Sequence, residues 1–496
     1  MRGPFIKIGT LPNVAAFRQA LQNLGAEIPC DGEVQDRASS PLAWPATVFR
    51  RTLGNRFAAQ PMEGWDGTPD GRPTEHTFRR WKRFGESGAK LIWGGEAVAV
   101  RHDGRANPRQ LLLTPRTAAE IARLRETLVQ SHKACFGTAD DLLVGIQLTH
   151  SGRYARPNSF DRPEPRILYH HPLLDRRMGL GDDYPVLTDG DVRAIIESFV
   201  QAAMLAWKCG FDFVDIKHCH GYLGHEFLSA KTRPGAYGGS LRNRTRFLAE
   251  VVEGIRSHAP TLGIAVRLSA FDTVPFHPDP ERSKPGRPGP GIPDDYCDAM
   301  PYEYGFGVDA ERPTDIDLAE PAELMGLFQE LGISLVNITG GCPYTNPHIQ
   351  RPALYPPSDA YLPPEDPIIG VARHLTVTAM LKAAAPNITF VGTGYTYLQE
   401  FLPNVAQAAV REGWTDFVGL GRMLLAYPEL PGDLLERGAI NHKRLCRTFS
   451  DCTTAPRHGL ISGCYPLDPY YKESSEAQRL ARIKASERTA GNGTTS

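Results

Sequence analysis

Eight short apolar runs recur along the chain, and stretches with helical periodicity lie between them. The apolar runs are 56–61, 90–93, 142–148, 211–216, 263–268, 334–339, 387–392 and 416–419. Helical patterns such as 189–207, 244–258 and 319–331 separate them. Strands that alternate with helices favour a parallel sheet with helices on its outside. The sequence therefore predicts an α/β protein, most simply a (β/α)8 TIM barrel, with a doubly wound open sheet as the alternative.

The chain is longer than this barrel requires, and three regions depart from the alternating pattern. The predicted divisions are an N-terminal extension at 1–46, the barrel at 47–435, an insertion after the fifth strand at 271–312, and a C-terminal appendage at 436–496. The extension has one predicted helix, at 14–24. The insertion is rich in Pro, Asp and Gly, so we expect it to be too polar for a core and well placed to act as a lid. The appendage is predicted to end in a disordered tail at 490–496.

Composition excludes several classes of partner. Lys and Arg number 55 and Asp and Glu number 56, so the charges nearly cancel. The chain therefore has no net positive charge that would attract nucleic acid or an acidic membrane surface. The chain has no apolar stretch of membrane-spanning length and no apolar signal core near its start. Nine scattered cysteines are more typical of reduced thiols than of a disulfide framework. We expect a cytoplasmic protein that acts on a small molecule.

Reactive side chains cluster where the fourth apolar run ends. Lys217, His218, Cys219 and His220 follow one another directly, and Tyr222 comes two residues later, before a helical pattern. In α/β barrels, side chains at the carboxyl ends of the strands carry the chemistry. The sequence therefore places a candidate active site at this point.

The sequence of residues 212–248 resembles that of the Old Yellow Enzyme family, also called NADH:flavin oxidoreductases. Members carry a donor pair, His-x-x-Asn or His-x-x-His, followed by Gly-Tyr-Leu and later by Tyr-Gly-Gly-Ser-Leu-x-Asn-Arg. This chain carries the same run with Lys217 in place of the first His. The resemblance extends over about residues 55–430. It implies that Lys217 and His220 bind the substrate and that Tyr222 donates a proton to it.

The resemblance also implies noncovalent FMN, with NADH or NADPH as the electron donor. The implied cofactor residues are Pro61, Met62, Glu63, Gly94, Gln147, Arg267, Gly392, Gly394, Gly421 and Arg422. The Gln147 amide can donate and accept at once, as the pyrimidine edge of a flavin requires. Arg267 is a fixed cation that suits negative charge on that ring. Glycine-rich turns after the last two strands, with Arg422, suit a phosphate group.

Longer relatives, similar to 2,4-dienoyl-CoA reductase and trimethylamine dehydrogenase, add Rossmann domains and a 4Fe–4S cluster held by Cys-x2-Cys-x3-Cys-x11-Cys. This chain has no Gly-x-Gly-x-x-Gly after a strand. Cys452 and Cys464 keep the last cysteine spacing, but Leu445 and Thr448 stand at the first two positions and Cys446 is one residue out of register. A cluster is therefore not expected.

Four interpretations of the function remain open from the sequence. The first is hydride transfer between NAD(P)H and an activated alkene through FMN. The second is oxidative dehydrogenation or demethylation of an amine. The third is a metal-dependent barrel enzyme that uses His218 and His220 as ligands, and the fourth is a barrel that binds flavin without catalysis. The substrate, the direction of reaction, the choice of nucleotide and whether the chain forms a homo-oligomer stay undecided.

Overall fold

The computed structural model describes residues 5–284 and 286–490, and the side chains of these residues except those of 487–490. Its centre is a ring of eight parallel strands. The strands are β1 (Phe57–Ala59), β2 (Leu91–Ile92), β3 (Leu143–Thr149), β4 (Phe213–Ile216), β5 (Gly263–Ser269), β6 (Leu335–Thr339), β7 (Thr389–Gly392) and β8 (Phe417–Leu420). Each strand pairs with the next, and β8 pairs with β1, so the sheet is closed.

All eight predicted strands are present, and their bounds differ from the predicted ones by at most two residues. Every residue of β3 and β5 is buried, because the barrel core covers one face of each strand and the helices cover the other. The (β/α)8 barrel is confirmed, and the open-sheet alternative is wrong.

Helices surround the ring. Those of the described residues are Val14–Asn23, Glu75–Gly85, Ala118–Phe136, Pro172–Met178, Asp189–Lys208, Leu223–Leu228, Leu241–Arg244, Arg246–His258, Ala319–Glu330, Pro347–Gln350, Pro367–Ala384, Leu402–Arg411, Arg422–Ala426, Leu430–Arg437, Asp451–Arg457, Pro469–Lys472 and Ser475–Ala490. Local sequence sets where they begin. Before the longest of them, the Thr188 hydroxyl accepts from the Asp191 amide, and the Asp191 carboxylate accepts from the Thr188 amide.

A β-hairpin closes the amino-terminal end of the barrel. Its strands, Ala46–Val48 and Arg51–Leu53, pair with each other, and Val48 and Leu53 are buried against the apolar lower layer of the barrel interior. This layer includes Trp93 and Phe213. Because the lower end is filled with apolar side chains, the polar interior residues lie towards the carboxyl ends of the strands.

The insertion after β5 has a small core of its own. Val274, Ala299, Tyr302 and Val308 pack together with Leu173. The short strands Phe276–Pro278 and Gly291–Pro293 form an antiparallel pair within it. The prediction that this segment is too polar for a core is wrong, because its scattered aromatic and aliphatic residues converge once the chain folds back. Its role as a lid stays a prediction.

The two terminal regions pack on the barrel. The predicted N-terminal helix is present, and Phe17 on it stacks against Phe401 at a centroid distance of 4.5 Å. In the appendage, Asp468 accepts two hydrogen bonds from Arg79, at 2.8 and 2.9 Å. The last helix ends at Ala490, and residues 491–496 of the predicted disordered tail lie outside the described residues. No helix in the described chain is both long and apolar enough to span a membrane.

Candidate active site

An open cavity of about 1460 Å³ lies at the carboxyl ends of the barrel strands. Most residues predicted for the site line it. They are Pro61, Met62, Glu63, Gln147, Lys217, His220, Tyr222, Arg267, Gly394, Gly421 and Arg422. The fold thus brings together side chains that the sequence separates by hundreds of residues.

Two glycines predicted to bind the cofactor, Gly94 and Gly392, do not line this cavity. Gly94 has φ +122°, and a Cβ there would lie 2.7 Å from the backbone nitrogen of Gln147. Its small size is needed for contact with β3, and its contact with the cofactor stays a prediction. Gly392 ends β7, and its carbonyl oxygen accepts from Gln60 at 3.4 Å. Gly392 therefore holds the side chain of Gln60, which lines the cavity, without lining the cavity itself.

Asp215, on β4, organises the floor of the cavity. Its Oδ2 accepts from Trp93 Nε1 and from Gln147 Nε2, both at 2.6 Å, and its Oδ1 accepts from the Arg267 amide at 2.7 Å. Burial raises the pKa of Asp215 to about 6, and these donors oppose the rise. Because only one N–H of the Gln147 amide donates to Asp215, its second N–H and its carbonyl oxygen can still bond to a ligand.

Arg267 brings a buried positive charge to the floor. Its Nη1 donates to the Pro61 carbonyl oxygen at 3.3 Å, and its Nε has no hydrogen-bond partner among the described residues. Burial lowers the pKa of Arg267, but a guanidinium remains charged at neutral pH. Burying a cation is costly, and the nearby Asp215 carboxylate offsets only part of that cost. An anionic ligand would relieve that cost.

Lys217 and His220 reach the same cavity because the strand breaks between them. His218 still bridges β5 and donates its amide to the Arg267 carbonyl oxygen at 2.9 Å. His220 then adopts φ +66°, and its amide donates to Ser269 Oγ at 3.0 Å. In a continuous strand, residues three apart point to opposite faces. The left-handed backbone of His220 ends the strand, so that the side chains of Lys217 and His220 can point into the same cavity.

Burial lowers the pKa values of both members of this pair. That of His220 lies well below its ordinary range, so the imidazole is neutral at physiological pH. The Lys217 Nζ lies 3.7 Å from the centroid of the Tyr222 ring, and no carboxylate of the described chain pairs with it within 4.0 Å. The ammonium is therefore available to a negatively polarised ligand atom.

The Tyr222 hydroxyl contacts two oxygen atoms in the cavity wall. Its Oη lies 3.1 Å from Glu63 Oε2 and 3.1 Å from the hydroxyl oxygen of Tyr344. Asn107 Nδ2 donates to the other Glu63 oxygen at 3.2 Å. Burial raises the pKa values of both Tyr222 and Glu63. This group of residues can hold or move a proton.

Two further guanidinium groups line the cavity, that of Arg351 from the loop after β6 and that of Arg422 just after β8. Arg422 Nη2 donates to the Pro352 carbonyl oxygen at 3.2 Å, and Arg422 Nη1 and Arg351 Nη2 have no hydrogen-bond partner in the described part of the chain. Burial lowers the pKa of Arg351 to about 9, and the charge of Arg422 adds to the effect. Gly394 and Gly421 lie on the same wall. The arrangement suits a phosphate group.

Sequence reasoning missed several residues that line the cavity. They are Gln60, Tyr344, Gln350, Arg351, Cys452, Thr453, Arg457 and Ser462. Tyr344 and Arg351 come from the loop after β6, which carried no recognised motif. Arg457 and Ser462 come from the appendage, which had been interpreted only through its cysteines. The Arg351 side chain donates to Thr453, so loop and appendage meet at the cavity.

The metal interpretation required His218 and His220 to share a face. In the structure, the His218 ring packs near Phe247, outside the cavity, and its Nδ1 lies 2.8 Å from the Ile216 carbonyl oxygen. Only His220 of the two lines the cavity. The proposed ligand pair is therefore wrong. The described residues contain no group of three or more His, Cys, Asp or Glu side chains arranged to hold a metal ion.

Comparison with known proteins agrees with this geometry. Residues 41–279 match the model of the NADH:flavin oxidoreductase / NADH oxidase family. The chain is similar to this family over those residues, which make up just under half of its length. A NADPH dehydrogenase of Geobacillus sp. (strain WCH70) is 30% identical over 247 residues, which cover 47% of this chain and 64% of the dehydrogenase. The chain thus spans less than two thirds of that relative's length.

Solved structures share the fold of this chain. A 2-naphthoyl-CoA reductase in complex with 2-naphthoyl-CoA superposes with a TM-score of 0.62 at 18% identity, over 87% of this chain and 57% of that one. A histamine dehydrogenase from Rhizobium sp. 4-9 superposes with a TM-score of 0.61 at 22% identity, over 88% and 53% of the two chains. At such identities the likeness establishes the barrel alone.

Proposed function

We propose that this protein is an FMN-dependent oxidoreductase that passes hydride from NADH or NADPH to an alkene conjugated to a carbonyl group. The observation that carries the proposal is the convergence of Gln147, Arg267 and Arg422 with the Lys217–Tyr222 loop on one cavity. Bound FMN would supply the two-electron chemistry, accepting hydride from a nicotinamide and giving it up at N5.

The residues present fit that cofactor. The unpartnered Arg422 Nη1 and the turns at Gly394 and Gly421 suit its phosphate. The unpartnered Arg267 Nε and the Gln147 amide, which lines the cavity, suit the polar edge of its ring. The orphaned buried N–H groups support this reading, because native proteins rarely leave such groups without a partner.

On the substrate side, the Lys217 ammonium and the neutral imidazole of His220 hold the carbonyl oxygen and stabilise the negative charge that develops there. The Tyr222 phenol donates a proton to the α-carbon. These roles follow from the side-chain types and from their shared cavity.

The position of Lys217 favours reduction over amine oxidation. A protonated amine substrate would need an aromatic face or a carboxylate near the flavin. The Lys217 ammonium already lies over the Tyr222 ring, and it would repel a second cation. We therefore rank oxidative dehydrogenation of an amine second.

Absorbance spectroscopy tests both proposals. Purified protein should be yellow, and heat or acid should release the flavin because it is held noncovalently. NADH and NADPH should each be tried as reductants of the flavin under anaerobic conditions. Enones and nitroalkenes are then added to the reduced flavin as oxidants, and amines are added to the oxidised flavin as reductants. Reoxidation by an enone supports the first proposal, and bleaching of oxidised flavin by an amine supports the second. Protein that stays colourless after reconstitution with excess FMN contradicts both.

A further inference from the structure

The hydrogen bonds of Tyr222 restrict the protonation state of its neighbour Glu63. The Tyr222 hydroxyl donates to Glu63 Oε2 at 3.1 Å in the structure, and its oxygen also lies 3.1 Å from the hydroxyl oxygen of Tyr344. A phenol has one proton to donate. If Tyr222 directs that proton to a substrate, its oxygen must accept from both neighbours. Glu63 can donate only while its carboxyl group carries a proton.

The surroundings of Glu63 are compatible with a neutral carboxyl group. Glu63 is half-buried in the cavity wall, and burial raises its pKa, with Lys217 opposing the rise. The titratable groups that face it are Lys217 and Tyr222 from the loop after β4 and Tyr344 from the loop after β6. Asn107, on a third segment, donates to its Oε1 and leaves Oε2 for Tyr222.

We propose that Glu63 is a positioning residue that directs the Tyr222 proton towards the substrate and replaces that proton after each turnover. The inference rests on the proposed alkene reduction. The Tyr222 O–H bond breaks as a C–H bond forms at the α-carbon. The Glu63 O–H proton then passes to the phenolate oxygen, and the carboxylate regains a proton from solvent in the open cavity. The Lys217 ammonium, 3.7 Å from the ring centroid, stabilises the transient phenolate.

The test compares the wild-type protein with Glu63→Gln after anaerobic reduction by NADPH or NADH. Reoxidation is followed by stopped-flow with an enone, which needs a proton at carbon, and with ferricyanide, which needs none. In the wild type, the enone rate should fall as pH rises through the raised pKa of Glu63, because only the neutral carboxyl group supplies a proton. Glu63→Gln should slow the enone reaction by about tenfold or more and lose this pH dependence. Its ferricyanide rate should fall much less than its enone rate.

Tyr344→Phe is the matched control, because it removes the other 3.1 Å contact of Tyr222 but leaves Glu63 in place. The Tyr344→Phe variant should keep the pH dependence of the enone rate. Glu63→Asp should show part of the pH dependence that Glu63→Gln loses. A Glu63→Gln variant with the wild-type pH profile would overturn the inference, as would an equal loss of the ferricyanide reaction. Wild-type protein that NAD(P)H cannot reduce, or that no enone reoxidises, would overturn the proposed function as well.

Discussion

The side-chain nitrogen of Lys217 lies 3.7 Å from the centre of the Tyr222 ring. A cation over an aromatic face is attracted by the ring quadrupole, and the attraction grows when both groups are desolvated. Lys217 and Tyr222 are 6% and 4% exposed. The residue that replaces the first histidine of the donor pair therefore contacts the proposed proton donor directly.

Lys217→Ala should slow the oxidative half-reaction by about tenfold or more, which corresponds to about 1.4 kcal/mol in the barrier. It should also weaken binding of anionic inhibitors, because the ammonium is lost. Lys217→His restores a donor and should shift reactivity towards neutral enones. Stopped-flow reoxidation and inhibitor titration measure these effects. Turnover that stays within about twofold in both Lys217→Ala and His220→Ala would place the chemistry elsewhere.

Arg422→Ala should weaken FMN retention by about 1.5–3 kcal/mol, because a charge-assisted hydrogen bond to the phosphate is lost. The Kd should rise about tenfold to a hundredfold. Quenching of flavin fluorescence on titration into apoprotein gives the value. Arg437, whose side chain is 72% exposed on an outer helix, provides the control substitution to Ala. An equal effect from both variants would remove Arg422 from the phosphate site.

Asp215→Asn should destabilise the fold by about 1–3 kcal/mol, because an amide N–H would then face donors that now bind a carboxyl group. The fold raises the pKa of Asp215 to about 6, so the stability that it contributes is fully present below its unfolded pKa and is lost as pH rises through 6. Urea unfolding at pH 4.5 and pH 7.5 should show a smaller pH effect in the variant than in the wild type. The exposed substitution Asp315→Asn should leave the wild-type pH effect in place.

Purified protein should contain no stoichiometric iron. Cys446, Cys452 and Cys464 line a side cavity of about 330 Å³ next to Arg422, but Leu445 is buried in the hydrophobic core where a first cluster ligand would stand. Iron and acid-labile sulfide assays check this. Cys446→Ser with Cys464→Ser should leave the flavin spectrum unchanged. Four irons and four sulfides per chain would contradict it.

The barrel could be predicted from the sequence because its strands are contiguous apolar runs with helices between them. The lower core, with Trp93 and Phe213, follows from the same runs. Family motifs located Gln147, Arg267 and the Lys217–Tyr222 loop, since each motif lies at a strand end. Their common cavity follows from closure of the ring, which brings all carboxyl ends to one side.

What could not be predicted depends on contacts between segments distant in sequence. Tyr344 and Arg351 lie in a loop without periodicity, and only tertiary packing brings Tyr344 to Tyr222. The core of the insertion could not be predicted from the sequence either, because Val274 and Tyr302 lie far apart along a polar segment. The close packing of Gly94 against β3 is likewise a tertiary contact, since a Cβ there would lie 2.7 Å from the backbone nitrogen of Gln147.

The cavity wall joins two segments that lie 397 residues apart in the sequence. The Trp65 amide, just after β1, donates to Ser462 Oγ in the appendage at 3.1 Å, and both residues line the cavity. During synthesis the ribosome would therefore release the first wall residues long before the last. A cofactor that reaches the nascent barrel before then meets a cavity that lacks the wall residues of the appendage, such as Ser462. Capture of flavin should accordingly wait until residue 462 has emerged and docked.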